Sequence, residues 1–210
     1  MKNALLLLLI GLFTLFPSAA HSQTAFGLKA GINLSKYSGN SASSNYKYKP
    51  GFYAGGFVNF NLGEKFELQP ELLFALQGSN FVLEDIEVRE SQDELPKRGD
   101  FKTKATETTI SVPVVARYFA SKEFYLEAGP QLGIILDHKE EITESPTDDP
   151  DFNVVQEWGD HTLDFGLAMG AGYHITNALT VNFRYFLGLA ERDISKMKSS
   201  VLNLGIDFRL

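Results

Sequence analysis

Cysteine is absent from all 210 residues. Its absence excludes a disulfide scaffold, thiolate zinc sites, thiol catalysis and lipid anchoring through an N-terminal cysteine. Basic residues are scarce, with 19 Lys and Arg against 26 Asp and Glu, a net charge of −7 and a pI near 5.1. A protein that grips a phosphate backbone needs a basic face, so nucleic acid is not an expected partner. No G-x-S-x-G elbow, phosphate-cradling glycine loop or dinucleotide fingerprint occurs, and no cofactor or metal is expected. Long apolar runs are missing too: the stretch 4–16 has 13 residues, short of the roughly 20 that a membrane helix needs. What is present, 44% hydrophobic and 12% aromatic residues with 18 Gly against 8 Pro, excludes a disordered or collagen-like chain.

The short apolar run follows Lys2 and ends on Ala20, His21 and Ser22, the charge, apolar core and small-residue pattern of a secretory signal peptide. The expected division is a signal peptide over 1–22 and one domain over 23–210. Export without cysteine and without a membrane helix suits a Gram-negative envelope.

Beyond residue 23 apolar residues recur at every second position, the period of a half-buried strand, and no helical spacing is sustained. Eight such sets run through 26–34, 52–62, 66–76, 110–118, 124–136, 163–175, 179–189 and 202–210. None of their 47 positions is charged. The alternate positions hold Lys29, Glu67, Glu71, Arg117, Glu127, Asp164, Arg184, Asp207 and Arg209, several Asn and Gln, and many glycines. Five acids against four bases in a narrow interior imply a paired lumenal charge network, because charges removed from bulk water must be paired or hydrogen-bonded. Apolar outside and polar or small inside is the pattern of a barrel in lipid. The connections 61–65, 119–123 and 175–178 are tight, whereas 35–51, 78–107, 137–162 and 190–200 are long and polar. Short turns on one side, long loops on the other and an even strand count predict an eight-stranded antiparallel transmembrane β-barrel in the outer membrane, its termini periplasmic. A lipocalin-like barrel would need the reverse, with Phe52, Phe60, Phe66, Phe74, Phe124, Phe165, Phe183 and Phe208 crowded into one lumen.

The segments GLKAGIN (27–33), GFYAGGF (51–57), FELQPELLF (66–74), ISVPVVARYF (110–119), FYLEAGPQLG (124–133), DFGLAMGAGY (164–173) and LTVNFRYFLGL (179–189) occur in this order. Together they resemble the strands of the PorT-like outer-membrane β-barrel family of Bacteroidetes-type bacteria, over essentially the whole chain after the leader. The resemblance implies an integral outer-membrane protein with a structural or interaction role. It also implies contact with lipid, lipopolysaccharide and the outer-membrane assembly machinery, and, by analogy with the member that names the family, an envelope or secretion partner. Such barrels usually end on an aromatic residue read by that machinery. Here the last residues are Phe208, Arg209 and Leu210, so either Phe208 substitutes or assembly is less efficient.

Other chemistry is thin. The acidic stretch 137–160 holds nine acids and one base, and Asp149, Asp151 and Asn153 are spaced like the start of a calcium loop, but Val154 stands where the turn needs glycine. A lipid-modifying enzyme would need Ser and His at the rim, where His161 and Ser145 are the nearest candidates, and no catalytic residue is assigned. A small-solute pore would need an open lumen. Lys36, Lys47 and Lys49 alternate with Tyr37, Tyr46 and Tyr48, which suits either lipopolysaccharide phosphates or an amphipathic interface belt.

Overall fold

A computed structural model describes residues 24–39, 44–88, 96–146, 156–158, 162–191 and 197–210, with the backbone alone for 156–158 and Thr162. The signal-peptide segment and residues 147–155 and 159–160 of the acidic stretch lie outside the described residues. The strands are β1 (Thr24–Ser38), β2 (Tyr46–Lys47), β3 (Lys49–Asn61), β4 (Phe66–Val88), β5 (Lys97–Phe119), β6 (Phe124–Glu144), β7 (Gln156–Trp158), β8 (Thr162–His174), β9 (Leu179–Gly188) and β10 (Lys198–Arg209). Eight of them pair antiparallel in the order β4, β3, β1, β10, β9, β8, β6, β5, and the β4–β5 pairing closes the ring. The two short strands are additions at one end, β2 on β4 and β7 on β6.

The alternation in the sequence becomes the two sides of this wall. None of the 47 apolar positions is buried, and Phe52, Phe66, Phe74, Phe165, Phe183 and Phe208 are each about half exposed on the outside. That orientation rules out the inverted, lipocalin-like packing. Inside, room is made by glycine. A Cβ at Gly27 would stand 2.1 Å from the Phe57 ring, and one at Gly172 would stand 2.2 Å from the Tyr125 ring. Any larger residue there would evict an aromatic side chain that fills the lumen.

Three connections are the expected tight turns, but the long ones are more ordered than their polarity suggests. The stretch 78–107 is largely strand: β4 and β5 are 23 residues each and β6 is 21, against the 9–11 or so that a tilted strand needs to cross a bilayer. Roughly half of each therefore stands beyond the apolar band as a three-stranded ribbon. The reason is local. Across the β4–β5 ladder Val82, Ile86 and Val88 pair with Lys102, Gly99 and Lys97, across β5–β6 Thr103 and Thr109 pair with Ile142 and Ile135, and β-branched residues favour extended pairing even in polar surroundings. Its inner side carries Tyr37, Tyr46 and Phe81 in a tilted aromatic series with centroids 5.5 and 5.0 Å apart. Burial, with the Glu140 charge adding to it, raises the Tyr46 hydroxyl above its ordinary pKa. Near the tip, Asp85 adopts a left-handed φ of 51° at a bulge, and its amide donates to Asp100 Oδ1 at 3.1 Å. That bond, with Lys102 beside it, holds the Asp100 carboxyl below the usual range.

The assignment of faces is tested by placing charge on the apolar side. Phe74→Arg or Val114→Arg should each cost roughly 2–4 kcal/mol, whereas Thr143→Arg on the ribbon should be tolerated. Urea unfolding and refolding in lipid vesicles measures the difference.

Candidate functional site

Within the lumen the inward charges form one closed circuit. Lys29 on β1 contacts Glu71 on β4 at 3.2 Å, and Arg184 on β9 grips both oxygens of Glu71 at 2.7 Å. The same guanidinium reaches Glu127 on β6 at 2.6 Å through Nε. Arg117 on β5 donates to Glu127 at 3.0 Å and to Asp207 on β10 at 2.9 Å, and Asp207 returns to Lys29 at 3.4 Å. Three cations and three carboxylates thus alternate around a ring supplied by six of the eight barrel strands. All six are at most 4% exposed.

The backbone register explains how such distant residues meet. Glu127, Gly170 and Arg184 lie in one row across β6, β8 and β9. Gly170 offers no side chain, so Arg184 and Glu127 bridge over it. Gln69 donates to Glu71 at 2.6 Å and Asn182 to Asp207 at 2.8 Å, so the carboxylates accept from neutral donors as well. Charges this far from water are tolerated only when partners fill their lone pairs and protons, and the ring meets that demand with charge balance.

The other three sequence-assigned charges are placed differently. Glu67 and Arg209 face each other at 3.5 Å near the periplasmic end, where they are partly exposed and Glu67 accepts from Asn59 at 2.8 Å. Asp164 is buried on β8 but is not a member of the ring. Below the ring the Arg117 guanidinium lies 4.3 Å from the Tyr125 ring centre, and His174 stacks on Phe119 at 5.5 Å, closing that end with aromatics. Above it a cavity of about 20 Å³, lined in part by Tyr53, Gln77, Ser111 and Gln131, has room for about one water-sized molecule.

A second cluster at the opposite mouth was not legible as lumenal. Glu107, 1% exposed, accepts from the Tyr37 hydroxyl at 2.7 Å and contacts His138 Nδ1 at 2.9 Å, with Met197 and Ala105 packed alongside Tyr37. Glu107 continues the inward alternation of 109–117, and that was the available signal; the polar surroundings of 101–108 concealed it. His161 lies outside the described residues. Among the described residues no group of three or more His, Cys, Asp or Glu side chains is arranged to hold a metal ion.

The fold is shared with known proteins. A model of the family described as outer membrane protein beta-barrel domain matches residues 18–192. Among solved structures, that of Ail, the attachment invasion locus protein of Yersinia pestis, in complex with the heparin analogue sucrose octasulfate, superposes with a TM-score of 0.52. The two are 13% identical, over 89% of this chain and 99% of that one. Neisserial surface protein A superposes with a TM-score of 0.53 at 12% identity, over 88% of this chain and 97% of that one. At such identities the likeness is one of fold. No curated protein matches the sequence.

The ring makes a sharp energetic contrast with surface pairs. Arg184→Met removes the cation shared by Glu71 and Glu127, leaving two buried cations to three carboxylates, and should cost about 3–5 kcal/mol, the range for a broken buried ion pair. Lys102→Gln, which removes the exposed ribbon bridges to Asp100 and Glu144, should leave the unfolding midpoint unchanged. Urea titration of the refolded barrel followed by tyrosine and tryptophan fluorescence measures both.

Proposed function

Because the chain belongs to the outer membrane protein beta-barrel domain family, we propose that it works in the outer membrane as a closed, non-conducting and non-enzymatic barrel, a rigid anchor for the ribbon that β4, β5 and β6 raise above the membrane. The role is structural or interactive. The observation that carries this reading is the charge ring: six paired side chains occupy the cross-section, and aromatics fill the lumen below them. A solute path would have to break buried ion pairs at every passage, which argues against a pore.

The ribbon is the part offered to a partner. Its three strands are much longer than the membrane requires, and their continuous pairing gives a firm surface in place of flexible loops. The resemblance to PorT-like barrels makes an envelope or secretion protein the partner class to examine, by analogy of fold.

Purified protein in planar bilayers should show no steady ion current. Reproducible conductance steps that change on Arg117→Gln or Glu127→Gln would favour the pore instead.

A further inference from the structure

On the outside of the barrel, one arc of the rim differs from the rest. Lys36 is the next outward residue of β1 beyond the apolar Leu34. On β10 the outward Lys198 pairs with Ser38, and Ser200 pairs with Lys36, so the two lysines are diagonal neighbours on one face. Exposed Lys47 on β2 adjoins Tyr48, whose ring lies 4.8 Å from Lys36 Nζ. Lys36 and Lys198 lie on neighbouring strands, about 5 Å apart across the ladder, and Lys47 joins them through Tyr48. One carboxylate is near, Glu191 at 3.7 Å from Lys198. Among the described residues Lys36 and Lys47 meet no carboxylate within 4 Å. The β5–β6 side at the same end is balanced instead, with Asp137, Glu141 and Glu144 among Lys102, Lys104 and Lys139. A general interfacial belt would be uniform around the barrel; this one is cationic on one side, in a protein of net charge −7.

Further along the same strands, below Leu34 and Pro50, the apolar band is indented. Ala30 on β1 pairs with Ala54 on β3, and Gly56 follows opposite Leu28, a run of small outward residues between the large Ile32 and Phe52 above and Phe26 and Val58 below. The backbone does not demand glycine there: a Cβ at Gly56 would have the Gly27 carbonyl oxygen at 3.6 Å as its nearest neighbour, an ordinary contact. The missing side chain therefore leaves space on the membrane side without relieving any clash.

We propose that the β10–β1–β3 arc is a binding site for a phosphorylated glycolipid of the outer leaflet, the lipid A portion of lipopolysaccharide. Its phosphates meet Lys36, Lys47 and Lys198, and an acyl chain lies in the hollow at Ala30, Ala54 and Gly56. Cations at the edge of an apolar band match an amphiphile with an anionic head, and the hollow beneath them matches its tail. The inference rests on the outer-membrane placement of the barrel and is independent of whether the ribbon binds a protein.

The test uses the full barrel refolded into phosphatidylcholine vesicles containing bis-phosphorylated lipid A, extracted gently and weighed by native mass spectrometry. Lys36→Gln/Lys47→Gln should lower retained lipid A at least tenfold, and Gly56→Leu should lower it several-fold, while Lys65→Gln/Lys122→Gln in the turns at the other end should not. Dephosphorylated lipid A should be held weakly by the unaltered protein and no more weakly by the double lysine variant. Heat-dependent gel migration reports folding of each variant separately. Unchanged retention in a folded lysine variant would overturn the proposal, as would equal retention of the dephosphorylated lipid or displacement by millimolar inorganic phosphate. If Gly56→Leu alone had no effect, the acyl hollow would be refuted.

Discussion

Everything inside this barrel is arranged around the demand that buried charges be paired. Lys29, Glu71, Arg184, Glu127, Arg117 and Asp207 meet that demand in a single cycle, each contacting the next at 2.6–3.4 Å. The cycle ties together strands that are not hydrogen-bonded neighbours: Lys29 and Glu71 belong to β1 and β4, with β3 between them, and Arg184 and Glu71 lie on opposite parts of the wall. The backbone ladder supplies contacts between adjacent strands. The ring supplies contacts across the diameter, and so resists flattening as well as separation.

The inner glycines and the outer aromatics follow from the same constraint. An eight-stranded lumen is narrow, so long cross-lumen side chains such as arginine and tyrosine fit only where facing positions are small. Gly170 lets Arg184 through to Glu127, and Gly27 and Gly172 give way to Phe57 and Tyr125. Outside, lipid has no partners for a charge, and the outward positions of the wall within the apolar band carry none. Beyond the apolar band the wall continues as the β4–β5–β6 ribbon, its inner side covered near the base by Tyr37, Tyr46 and Met197 and its outer side tied by surface ion pairs such as Lys102 with Glu144 at 2.7 Å.

The parts of this architecture that could be read from residues are those with a contrast between faces. Leu28 against Lys29, or Phe183 against Arg184, declares inside and outside at once, so eight strands and their two faces were legible. The pairing partners were not, because Lys29 meets Glu71 only after the ring of strands has closed, 42 residues away in the chain. The ribbon was missed for the opposite reason: in KATETT, residues 104–109, both faces are polar or small, so strand and loop look alike, and Glu107 was lost with them. The resemblance to PorT-like barrels agreed with the outer-membrane family and added no residue-level role.

The central claim is that the ring acts as one cooperative unit. A double-mutant cycle on Glu71→Gln and Arg184→Met, measured by urea unfolding in vesicles, tests it most directly. The account predicts that the double variant is destabilised by less than the sum of the single variants, with a coupling of about 2 kcal/mol or more, toward the upper end for residues in one ion-pair network. Additive losses, with a coupling near zero, would contradict it and would mean that the six charges are merely accommodated by the wall.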